Sequence, residues 1–178
     1  MSVLAQLAAS DTFIHGRLVS RTLPPWLRLW MESATRLSDS VLWPSVALLL
    51  FAAGARGHRV LAAAALAAGI ANGVLVVLKA RVRRPRPHGG EPGPHALPTR
   101  EYFPGDRYSF PSGHALNAFT VGSILALAFP PLALVVLGVA ASIAASRVLL
   151  GEHYLTDVVA GVLLGTAAGA VVFVWWLL

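Results

Sequence analysis

The sequence predicts an all-α integral membrane protein, a helical bundle of five to six transmembrane helices with an amphipathic N-terminal segment. Three observations carry that prediction. Hydrophobic residues make up 56% of the 178 residues and charged residues only 12%, about half the roughly 25% that covers an ordinary soluble domain. The apolar residues gather in five stretches near the length of about 20 that crosses a bilayer. The remaining charges, 14 Lys and Arg against 8 Asp and Glu, fall mostly between those stretches. The length suits a single domain, residues 1–178, and no internal repeat is visible. These proportions exclude intrinsic disorder. With no cysteine in the chain, disulfides, thiolate zinc sites and cysteine nucleophiles are excluded as well.

In the opening segment, residues 1–39, Trp26, Leu29, Trp30 and Leu37 stand at helical spacing, while Arg28, Glu32 and Arg36 repeat every four residues on another face. That pattern suits an amphipathic helix lying in the membrane interface. Arg17, Arg21 and the Pro24-Pro25 break count against a first spanning helix. No basic region precedes a long apolar stretch, so no cleavable signal peptide is expected.

The five spans are 40–55, 60–78, 113–129, 132–150 and 155–178, the first of them short. Pro130-Pro131 leaves almost no loop between the third and fourth, which dictates an antiparallel hairpin. Along the fifth, Gly161, Gly165 and Gly169 recur every four residues and form a ridge that permits close helix contact. Packing within the chain and a dimer seam both use such a ridge, and the oligomeric state stays open. Trp175 and Trp176 then sit in an aromatic belt at the far side. The long polar segment 80–111 holds seven of the twelve prolines, and a stretch of that length without regular structure is functional or disordered. Its part 88–110, with Tyr102, Phe103, Tyr108 and Phe110, reads either as a cover over a site or as a connector. His88 and His95 in it are expected to be surface residues.

Alternation of five spans puts the N-terminus, the segment 80–111 and the turn near Gly151 on one face, and the loop near Arg56 and the Pro130-Pro131 turn on the other. Three polar clusters therefore meet on one face. The run from Lys79 to Arg86-Pro87 reads by itself as a basic anchor for lipid headgroups. Pro111-Ser112-Gly113-His114 opens the third span. Ser112 there is an N-cap, and the free N–H groups beyond it also suit an anion. Ser146-Arg147 closes the fourth span, with His153 and Asp157 four apart at the opening of the fifth. A carboxylate at one imidazole nitrogen leaves the other as a lone-pair donor. Together, Lys79, Arg86 and Arg147 around a helix N-terminus describe a phosphate cradle. Two histidines, one backed by a carboxylate, describe a nucleophile and an acid.

These residues spell K-x6-RP, PSGH and SR-x5-H-x3-D in order, and in that pattern the chain resembles the type 2 phosphatidic acid phosphatase superfamily, which includes the vanadium haloperoxidases. The resemblance covers about 80 residues, from the second span to the fifth. It implies a metal-independent phosphatase of membrane lipid phosphates or diphosphates, with no cofactor. His153 would form a phosphohistidine, Asp157 would orient it, and His114 would protonate the leaving oxygen and then activate water. Lys79, Arg86, Arg147, Ser112 and the Gly113 N–H would hold the phosphoryl oxygens. Many membrane members have six spans; here the amphipathic segment replaces the first.

Catalytic residues at the ends of spans lie at headgroup depth, so a substrate anchored in the lipid bilayer is expected. Undecaprenyl diphosphate, phosphatidylglycerophosphate and phosphatidic acid come first, then a lipid A phosphate or a polyprenyl phosphosugar. A non-hydrolytic binder or transporter of anionic lipids is the reading from another class; it needs the cations but not the histidines. Nucleic acid is not an expected partner, because the basic residues are confined to a membrane face. On sidedness, twelve of the fourteen Lys and Arg lie on the site's face, and a literal count puts that face in the cytoplasm. The resemblance implies a bacterial inner membrane with the site at the extracytoplasmic face.

Overall fold

Residues 3–19, 23–87 and 108–177 are described by the computed structural model. The segment 88–107, with His88, His95, Tyr102, Phe103 and most of the stretch read as a cover, lies outside them. Among the described residues the regular structure is helical, with one isolated bridge between Pro85 and Tyr108. The helices are α1 (Val3–Val19), α2 (Pro25–Asp39), α3 (Leu42–Ala52), α4 (Gly54–Val82), α5 (Gly113–Ala128), α6 (Ala133–Leu149) and α7 (Leu155–Leu177).

Each predicted span has its helix, with shifted ends. Three helical stretches are long and apolar enough to cross a membrane: Gly54–Val82, Pro130–Leu149 and Leu155–Trp176. The first predicted span shortens to the 11 residues of α3, and α5 has 16. Conversely, α4 runs to 29 residues, about 44 Å at 1.5 Å per residue. The apolar window stops near Leu78, but nothing in Lys79-Ala80-Arg81-Val82 breaks a helix. The helix ends at Arg83, in the left-handed conformation with φ 49°. That extra turn carries Lys79 past the apolar zone.

The N-terminal residues form two helices. Pro24 and Pro25 break the chain and start α2, with proline in the first turn, where its missing N–H costs nothing. Helix α2 buries Met31, Thr35 and Ser38, chiefly against α6. Trp26, Leu29, Trp30 and Leu37 remain exposed. On a third face Arg28 and Arg36 flank Glu32, at 2.8 and 3.8 Å.

Helix α5 is central and packs against α4, α6 and α7. Its seam with α7 explains the glycine ridge. A Cβ on Gly161 would stand 2.6 Å from Ser112 O, one on Gly165 2.3 Å from Leu116 O, and one on Gly169 2.5 Å from Thr120 O. Both helices advance by four residues, so the contact repeats in register for two turns. The ridge packs within the chain. At the end away from the polar clusters, Arg56 donates to Ala128 O at 2.8 Å, joining the start of α4 to the end of α5 beside the tight turn Pro130–Leu132. The outer surface carries exposed Leu48, Leu49, Val76, Leu134, Leu163 and Trp175. A surface this apolar belongs in a bilayer, and the chain is a multi-pass membrane protein.

Candidate active site

Five helix ends and one turn converge at the opposite pole. The turn follows α6: Gly151 has φ 78°, and the N–H groups of Glu152 and His153 both reach Arg147 O, at 3.0 and 2.9 Å. This tight reversal holds His153 two residues ahead of α7. The spacing of four between His153 and Asp157 predicts one shared helix face, and the structure corrects this, since only Asp157 is helical. The two still face each other, His153 Nδ1 lying 3.6 Å from Asp157 Oδ2. That is ion-pair range, longer than a hydrogen bond.

Behind His153 are the arginines. Arg86 and Arg147 are both buried, and Glu152 Oε2 lies 3.5 Å from a guanidinium nitrogen of each. Arg86 Nη1 also stands 3.4 Å from His153 Nε2. A guanidinium has no acceptor, so this long contact suits a ring that keeps its Nε2 lone pair and carries its proton on Nδ1. Burial above all, then Arg86 and Arg147, then His114 and Lys79, hold the His153 imidazole well below the ordinary 6.5. A neutral, lone-pair-bearing ring results.

Asp157 is fixed from elsewhere. It accepts from Arg84 Nη1 at 2.9 Å and from the Tyr154 N–H at 3.0 Å. The same Arg84 bonds Thr156 Oγ1 at 2.7 Å and Asp11 Oδ2 of α1 at 2.7 Å, and lies 4.0 Å from the Tyr154 ring centroid. Asp11 in turn accepts from the Thr156 N–H and hydroxyl. Helix α1 thus reaches the site through one buried carboxylate.

In front of His153 is a cavity of about 330 Å³, lined by Ser38, Asp39, Trp43, Leu75, Lys79, Gly113, His114, Asn117 and His153. Ser112 caps α5 in an extended conformation, and its own N–H bonds Asp157 O at 2.9 Å. Its hydroxyl is buried and makes no hydrogen bond to a described residue. His114 Nε2 meets Asp39 Oδ1, and Arg147 Nη1 reaches Thr35 Oγ1 at 3.3 Å.

Of the residues expected at the site, Lys79, Gly113, His114 and His153 share the cavity. Arg86, Arg147, Ser112 and Asp157 are buried around it. Sequence reasoning missed Asp11, Thr35, Asp39, Arg84, Glu152 and Thr156. A signal existed for the acids. The chain has only 8 Asp and Glu, and an acid inside a membrane bundle needs a partner. Asp11, Asp39, Glu152 and Asp157 all belong to this network.

The chain matches the PAP2 superfamily over residues 57–177. Decaprenylphosphoryl-5-phosphoribose phosphatase of Mycobacterium tuberculosis is 34% identical over 131 residues, 73% of this chain and 69% of that protein. Among solved structures, the transmembrane PAP2 type phosphatidylglycerolphosphate phosphatase of Bacillus subtilis superposes with a TM-score of 0.71 at 26% identity, over 96% of this chain and 86% of that one. Aquifex aeolicus LpxE shares the fold, with a TM-score of 0.70 at 23% identity over 91% and 93% of the two chains. The chain belongs to the PAP2 superfamily, as a membrane phosphatase acting on lipid-type substrates.

Proposed function

We propose that the protein hydrolyses a phosphate monoester on a polyprenyl-anchored headgroup, without metal, through a phosphohistidine. The observation that carries this reading is the cavity that places His153 and His114 together with Lys79 and Gly113, at the pole of an apolar bundle. Such a position meets a headgroup whose chain stays in the bilayer. The 34% identity to a polyprenyl-phosphoribose phosphatase favours a phosphosugar on a prenyl carrier. Phosphatidylglycerophosphate is the second reading, supported by the likeness to the Bacillus subtilis enzyme.

In the first step His153 Nε2 attacks phosphorus in line, the bond to the leaving oxygen breaks, and the His114 proton passes to that oxygen. In the second, water attacks the phosphohistidine and gives a proton back to His114. The N–P bond breaks, phosphate leaves, and both rings return to their starting state. Asp157 supports His153 from behind. Lys79, Arg86 and Arg147, with Ser112 Oγ and the Gly113 N–H, receive the phosphoryl oxygens, whose charge must be held in the transition state. Sidedness belongs to the same reading: a bacterial inner membrane with the site at the extracytoplasmic face. Three of the arginines on that face are engaged inside the protein, Arg84 with Asp11 and Asp157, Arg86 and Arg147 with Glu152. That weakens a literal count of positive charge as a guide to topology.

The test is phosphate release by detergent-solubilised protein, with chelator present. The panel holds a polyprenyl phosphosugar, phosphatidylglycerophosphate, undecaprenyl diphosphate, phosphatidic acid and lipid A, and His153→Ala is the control. Release from the phosphosugar that the variant loses is the expected result. Binding without release in folded protein would point to the non-hydrolytic class instead.

A further inference from the structure

We propose that Asp39, at the end of α2, is the positioning residue of His114, holding its ring in place and in the proton-bearing form for attack on the ester. The inference rests on the reading of His114 as the proton donor.

The contact joins distant parts of the chain, Asp39 Oδ1 to His114 Nε2, 75 residues apart. Asp39 and Ser38 line the same cavity as Lys79, His114 and His153, so the carboxylate faces the reacting groups. The stability of α2 does not account for it. A carboxylate in the last turn of a helix opposes the helix dipole, and Asp39 is the final residue of α2. Its place is anchored one turn earlier, where Thr35 Oγ1 bonds Ser146 Oγ at 2.8 Å and accepts from Arg147 Nη1 at 3.3 Å. Helix α2 therefore touches both sides of the chemistry, the arginine cradle through Thr35 and the acid through Asp39.

The two histidines have unlike surroundings. His153 sits against Arg86 and Arg147, which favour a neutral ring and so a nucleophile. His114 instead has the Asp39 carboxylate at Nε2, an acceptor that orients the ring and offsets the charge of the proton it delivers. One cavity thereby holds a base beside cations and an acid beside a carboxylate. The proton that Asp39 helps His114 hold is the one passed to the leaving oxygen as its bond to phosphorus breaks.

Two soluble esters of similar size test this, phenyl phosphate with a poor leaving group and 4-nitrophenyl phosphate with a good one. The readout is kcat/KM, which ends at phosphoenzyme formation. Asp39→Asn is expected to slow the phenyl ester by about ten- to a hundred-fold, a part of the roughly 10²–10⁴-fold that general acid catalysis contributes, and to leave the nitrophenyl ester nearly unchanged. Asp39→Glu restores most of the loss, and Asp39→Asn adds little in a His114→Ala background, as coupled residues require. Thermal melting of the variants establishes that they fold. Equal slowing of both esters, or no slowing of either, overturns the role of Asp39 while the phosphatase reading stands. Failure of the wild-type protein to release phosphate from either ester or any lipid of the panel would instead overturn the reading beneath it.

Discussion

His153 is a nucleophile because of what surrounds it. Burial and the cations Arg86, Arg147 and Lys79 hold its ring below the ordinary 6.5, and the neutral ring is the reacting form. The acid limb of kcat/KM, which reports the free enzyme, is therefore expected below 6.5. The sign for Arg86→Gln follows directly. Removing a cation relieves a pressure toward neutrality, so protonation sets in at higher pH and the acid limb moves up. Ionisation of the substrate affects both proteins alike, so the difference between their profiles isolates His153. An unmoved limb would mean that Arg86 does not govern the ring. At this scale the three motif blocks were legible, since phosphoryl transfer needs particular residues at fixed spacing. Their supports were not, because Asp11 meets Thr156 across 145 residues and Asp39 meets His114 across 75. Short-range pattern carries no trace of such pairs.

Among the elements, the seam between α5 and α7 decides whether the site assembles. Helix α5 brings Ser112 and His114, and α7 brings Asp157, which also receives the Ser112 N–H on its carbonyl. Gly165→Ala would put a methyl 2.3 Å from Leu116 O, against backbone that has no room to yield. A loss of about 1–3 kcal/mol is expected for overpacking of this kind, with a fall in kcat as the helices separate. Gly138→Ala, on α6 with nothing within 4 Å, is the matched control and should be neutral or slightly stabilising. Comparable melting temperatures for the two variants would contradict the seam. The glycine spacing was visible in the sequence, but its partner helix was not. Likewise the tryptophans and leucines of α2 announced a helix, while its inward face, Met31, Thr35 and Ser38, is largely polar and gave no hydrophobic signal. Helix α4 outran its apolar window because charge ends hydropathy without ending a helix.

For the whole molecule, the alternation of apolar stretches was enough to place the polar clusters at one pole, and Arg56 bonded to Ala128 O ties together the pole opposite. Which pole faces outward follows from no contact within the chain. A chain without cysteine is suited to single-cysteine labelling. Ser40→Cys lies in the turn between α2 and α3, and Ala55→Cys at the start of α4; both positions are exposed. With the site extracytoplasmic, a membrane-impermeant maleimide labels Ser40→Cys in spheroplasts and labels Ala55→Cys only after lysis. The reverse pattern would put catalysis in the cytoplasm.

The central claim is that His153 carries the phosphoryl group, and rapid quenching with a lipid substrate labelled in its phosphate tests it most directly. The label is expected on the protein within a single turnover, stable to alkali and labile to acid, mapped to His153 and absent from His153→Ala. Turnover at wild-type rate in that variant, or wild-type turnover with no trapped phosphoenzyme and the label on water alone, would contradict it.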